Sequence, residues 1–214
     1  MPGLTSTRAA LPHPARLALR IALAATLVLW LGYVYAAVLV DALLPWLRSA
    51  FGWFGSQFVL LRMHVEQQAG FGRLVLDADL AHPVIIGGHT LQPLRWSSQG
   101  GGWSRIELTL GSVLAGPLLL LIVVFAWPAR PLEQLLRLVI SVPVAALLLL
   151  TTTLTQIAEL WFPIQRELEP GHLWPLLLAS RLLMSGGGLI VAALLGLGVV
   201  ALAQRAAATR LPRN

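Results

Sequence analysis

The sequence predicts a membrane α-helical protein: a four-transmembrane-helix bundle with a small extracytoplasmic β-rich cap between helices 1 and 2. Three observations predict it. Of 214 residues, 57% are hydrophobic and 11% charged, with a mean hydropathy of +0.78; a soluble domain carries about 25% charged residues. The apolar residues gather into four runs, each long enough to cross about 30 Å of hydrocarbon at about 1.5 Å per residue. The charged residues lie between these runs, and all 15 basic ones are Arg.

Each element follows in order. Residues 1–20 form a basic tail with Arg8, Arg16 and Arg20. Helix 1 occupies 21–47, its uncharged stretch running from Arg20 to Asp41. Arg16, Arg20 and the Val34-Tyr35-Ala36 tripeptide suggest a signal peptide. The apolar run is about 20 residues, however, against about 7–15 for a signal sequence, so it is expected to stay as an anchor. The cap fills 48–107, and 108–204 contains helices 2–4. Their apolar runs are 108–127, closed by Pro128 and Pro131; 138–158, between Arg137 and Glu159; and 173–203, interrupted by Arg181. Residues 205–214 are a second basic tail.

Within the cap, Leu61, Met63 and Val65 alternate with Arg62, His64 and Glu66. Leu74, Leu76, Ala78 and Leu80 alternate with Val75, Asp77 and Asp79. A period of two marks half-buried strands. Gly87-Gly88 after Pro83-Val84-Ile85-Ile86 signals a turn, and Gly100-Gly101-Gly102 breaks the chain before a last short strand from Trp103 to Leu110. Three or four strands without disulfides form a marginal domain, which must lean on the helices, the lipid surface or a partner. Phe51, Trp53, Phe54, Trp96 and Trp103 suit either interfacial contact or the core of the cap.

Arg placement orients the chain. Both tails and the second loop, with Arg130 and Arg137, are basic, whereas the third loop carries Glu159, Glu167 and Glu169 against Arg166. The positive-inside rule puts both termini and the second loop in the cytoplasm. Since the basic excess has this source, the net charge of +6 does not imply nucleic acid. Nucleic-acid binding would need a concentrated basic footprint. Cysteine is absent, which excludes disulfides, thiolate metal sites and cysteine nucleophiles.

Few residues carry chemistry. Equal span lengths place Asp41, Glu107, Glu159 and Arg181 near the outer interface, with Gln156 and Thr151, Thr152, Thr153 and Thr155 beside them on helix 3. A charge near hydrocarbon faces the bundle interior and pairs, and Glu159 and Asp41 are the partners available to Arg181. This candidate polar cluster either binds a headgroup or peptide or serves only as an inter-helix ion pair. The threonines suit helix-to-helix hydrogen bonds. Gly186-Gly187-Gly188, Gly196 and Gly198 offer close packing, and the length of the last run calls for tilt, a bend near Gly186, or a first turn outside the membrane.

His13, His64, His82, His89 and His172 form no helical ligand pair, although His82 and His89 with Asp77 and Asp79 could converge on a metal. Ser180 and Ser185 lack a nearby His in sequence to act as base. No catalytic residue, metal or cofactor is expected.

A first span ending in Leu43-Leu44-Pro45-Trp46-Leu47 leads into a β-like outer segment. Gly116-Pro117 with the leucine run 118–121 follows, then Gln156 late in the third span and a long Gly-interrupted last helix. Over most of the chain this layout resembles the exosortase-associated accessory membrane proteins, of the exosortase H-associated type. The resemblance implies a multi-pass inner-membrane protein linked to surface-protein sorting, and it transfers no catalytic motif. An exosortase itself, a cysteine transpeptidase, is excluded by the missing cysteine. The expected role is a non-enzymatic accessory or scaffold subunit of a bacterial inner-membrane complex, touching membrane lipids and another membrane or client protein. The alternative is a membrane enzyme or lipid- or peptide-binding protein using Arg181, Glu159 and Asp41. A transporter subunit is disfavoured, because the spans hold almost no mid-bilayer ionisable groups.

Overall fold

The structure is a computed structural model that describes residues 13–52, 58–68, 71–86, 89–93, 104–168 and 186–210. Arg181, Trp53, Phe54, Trp96, Trp103, His172, Ser180 and Ser185 lie outside these residues.

Helix α1 (His13–Phe51) has 39 residues, about 58 Å at 1.5 Å per residue, so it extends beyond both ends of the predicted span. A hairpin of β1 (Phe58–Gln68) and β2 (Phe71–Leu80) follows, then the short β3 (Val84–Ile86) and β4 (His89–Leu91). Strand β5 (Ser104–Thr109) leads into α2 (Leu110–Ala126). Helices α3 (Pro131–Leu168) and α4 (Gly188–Arg210) complete the fold.

Helices α1, α3 and α4 are long and apolar enough to cross a membrane. Their most apolar stretches are only 22%, 22% and 28% buried within the chain. The uncovered apolar side chains on α1 include Leu23, Trp30, Tyr33, Val38 and Trp46. In water so much exposed apolar surface would drive aggregation; in a bilayer it is the lipid-facing surface.

Helix α2 is different. It has 17 residues, at the lower end of spanning length, and packs against α1, α3 and α4. Apart from Ser112 its residues are apolar, and it buries a broad face that includes Val113, Leu114, Gly116, Leu120 and Val124, while Gly111 and Ala115 are exposed. A helix that is apolar on every side belongs in an interior, and α2 is the central helix of the bundle. Glycine allows the close approaches. A Cβ on Gly196 of α4 would lie 3.0 Å from Val123 and 3.2 Å from the Leu120 carbonyl of α2. Among the described residues the glycine with positive φ is Gly186, at +95°, which no continuous α-helix accommodates. Helix α4 begins two residues later, and the residues before Gly186, on which the expected bend or tilt falls, lie outside the described residues.

The three-stranded sheet has the order β1-β2-β5, antiparallel throughout, with β2 in the centre. Its inner face (Phe58, Met63, Leu74, Leu76, Ala78, Leu80, Ile106 and Leu108) shares one core with Val40, Leu44, Leu47 and Phe51 of α1, Val113 of α2 and Ile157 of α3. Among the described residues the cap therefore shares its core with the helices. Phe51 is a core residue rather than an interfacial one. Leu61 departs from the expected alternation: it is 51% exposed, because the β1–β2 register shifts between Leu60 and Arg62. One extra residue in a bulge reverses the facing of everything before it, so Phe58 and Leu60 share a face with Met63 and Val65. Strands β3 and β4 pair Ile86 with His89 across the predicted Gly87-Gly88 turn.

Candidate functional site

The outer face of the sheet gathers charges from three strands. Pairing aligns Glu66, Arg73 and Thr109 in one row, His64, Val75 and Glu107 in the next, and Arg62, Asp77 and Arg105 in a third. Across these rows the side chains form one chain of bonds. His64 Nε2 lies 3.0 Å from Glu66 Oε1, and Arg105 Nη2 donates to both oxygens of Glu66 at 3.2 Å. Arg105 Nε donates to Glu107 Oε1 at 3.1 Å, and Arg73 Nη1 to Glu107 Oε2 at 2.7 Å. Arg105 thus reaches from one edge strand to the other over the central row, and Val75 beneath it is 0% exposed. Glu66 titrates below the ordinary carboxylate value, chiefly because His64 hydrogen-bonds its charged form; partial desolvation opposes this and Arg105 adds to it.

The predicted cluster is divided by the fold. Glu107 lies on the outer sheet face, bound to Arg73 and Arg105. Gln156 is buried on α3 and accepts a 3.4 Å contact from the Ser112 hydroxyl of α2. Glu159, nearly one turn further along α3, is partly buried, and its Oε2 has no hydrogen-bond partner among the described residues. Asp41 is exposed on α1. The neighbouring threonines bond their own helix rather than another: Thr151 to the Leu147 carbonyl at 3.0 Å, Thr152 to Leu148 at 2.7 Å and Thr153 to Leu149 at 2.8 Å. A helical threonine hydroxyl reaches the carbonyl four residues back, which satisfies it without a partner helix. Among the described residues no group of three His, Asp or Glu is placed to hold a metal. Asp77 faces outward beside Arg62 and Arg105, and Asp79 accepts the Leu80 amide at 2.9 Å.

One polar residue of structural weight was read from sequence only as a cytoplasmic charge. Arg137 is 0% exposed. Its guanidinium donates to the carbonyls of Trp127 at 2.8 Å, Pro128 at 3.2 Å and Val124 at 3.3 Å, and pairs with Glu133. It caps the C-terminal carbonyls of α2, which no helical amide can satisfy. The only available signal was its Glu-x-x-x-Arg spacing, which is compatible with many surface pairs.

A crevice of about 770 Å³ runs between α1 and α2. Its walls are apolar, and its end nearest the sheet is formed by Gly72, Arg73 and Thr109. Comparison with protein-family models, with curated proteins and with solved structures finds no match for this chain.

Proposed function

We propose that this chain is a non-enzymatic accessory or scaffold subunit of a bacterial inner-membrane complex, serving surface-protein sorting or export of the exosortase-linked kind. In this reading α2 is a fourth span, both termini are cytoplasmic, and the sheet stands outside as the surface presented to a partner or client. The observation that carries it is the mounting of the charged sheet. β5 enters α2 with no intervening residue, and the sheet's inner face shares the core of α1, α2 and α3. A partner bound to the ionic face is thereby coupled to the helices. Charge complementarity of such a face favours choice of partner more than affinity.

The test is extraction from native membranes in mild detergent, with mass spectrometry of co-purifying proteins, for wild type and for Arg105→Glu. The expected result is a stoichiometric membrane or exported protein, lost on charge reversal while the variant keeps its thermal transition. Recovery of a solitary monomer from wild-type membranes overturns the reading.

The Oε2 of Glu159, without a hydrogen-bond partner among the described residues, favours a second reading, a polar pocket at the outer interface holding a headgroup or peptide with Arg181, Glu159 and Asp41. Under it, Arg181→Ala keeps assembly and loses ligand; under the scaffold reading the same variant keeps both assembly and activity.

A further inference from the structure

We propose that the crevice between α1 and α2 is a binding site for one phospholipid of the leaflet nearest the sheet. An acyl chain lies along α2, and the phosphate is held at the mouth by Arg73. This inference stands independently of the scaffold reading.

Its lining on α2 runs from Thr109 to Ile122, about 20 Å along a helix axis. One leaflet of hydrocarbon is about 15 Å deep, so the crevice accepts a chain from headgroup level to the midplane.

Polarity points the same way, because the polar groups are confined to one end. Arg73 is 43% exposed there and spends Nη1 on Glu107. A guanidinium carries five N–H donors, so this bond to Glu107 leaves others for a phosphate at the mouth. Thr109, the residue before α2, makes no side-chain bond to the helix's first amides, and these face the same end as further donors.

The structure also supplies a clean way to fill the crevice. Gly111 lines it, and a Cβ placed there meets no atom within 4 Å, so the side chain of Gly111→Leu starts from open space. The full-length protein, delipidated in detergent, would be mixed with palmitoyl-oleoyl-phosphatidylglycerol and, separately, with palmitoyl-oleoyl-glycerol, and bound lipid counted by native mass spectrometry. The expected result is one phosphatidylglycerol per chain, reduced about tenfold by Gly111→Leu and by Ala115→Leu. Arg73→Gln reduces phosphatidylglycerol retention but leaves the uncharged glyceride unchanged. Thermal unfolding verifies that each variant is folded, and either plug variant alone suffices. Equal lipid counts in wild type and a folded plug variant mean annular lipid only and overturn the proposal. So does a dimer that excludes lipid from the crevice, or identical responses of both lipids to Arg73→Gln.

Discussion

At the scale of single residues, Arg137 and Glu66 show what burial does to a charge. Arg137 has no access to water and is held by three carbonyls and Glu133. Removing one member of a buried pair leaves the other uncompensated, a loss of about 3–5 kcal/mol. Arg137→Met should therefore lower the denaturation midpoint in detergent strongly. Arg137→Lys should fall between the two, since an ammonium cannot reproduce the planar fork. Adding Glu133→Gln to Arg137→Met should recover part of the loss. An Arg137→Met protein as stable as wild type would show that α2 needs no cap.

Glu66 is the exposed counterpart. Its folded value lies below the ordinary 4.5, so the carboxylate form stabilises the fold above that pH. The contribution disappears as pH falls through the depressed value. Measured between about pH 6 and pH 3, the thermal transition of wild type should fall more steeply than that of Glu66→Gln. Parallel curves would show that the His64 and Arg105 contacts contribute nothing in solution.

At the scale of elements, the position of α2 governs the bundle. A helix surrounded by three others needs close approach, and small residues provide it in membranes. A Cβ on Gly196 would lie 3.2 Å from the Leu120 carbonyl, while one on Gly198 of the same helix would meet nothing within 4 Å. Gly196→Val should destabilise by about 1–3 kcal/mol through overpacking. Gly198→Ala should be neutral or stabilise α4 by up to about 1 kcal/mol, because alanine restricts the unfolded backbone. Thermal unfolding of the two variants in the same detergent separates them, and equal effects would remove α2 from the centre. The sheet depends on the helices in a comparable way: among the described residues its inner face packs on α1, α2 and α3.

At the scale of the whole molecule, the proposed topology makes a direct prediction. The chain has no cysteine, so a single introduced thiol is an unambiguous reporter. In intact cells, freed of any outer membrane, a membrane-impermeant maleimide should label Arg62→Cys on the sheet. It should leave Arg8→Cys and Arg205→Cys unlabelled until the membrane is permeabilised. Labelling of either tail in sealed cells would overturn the orientation. Labelling of one tail only would mean an odd number of spans.

By itself the sequence determined the membrane character, the order of the apolar helices and the two long strands. Each rests on a one-dimensional signal: run length against bilayer thickness, or period-two alternation along a strand. The alternation of Arg62, His64 and Glu66 even identified which side chains face away from the core. What only the tertiary structure decided are the relations between elements. The Leu61 bulge, the centrality of α2, the role of Arg137 as a cap and the separation of Glu107 from Gln156 all depend on which surfaces meet. Strand register and helix neighbours are set by packing among residues far apart in the chain, and no local period encodes them.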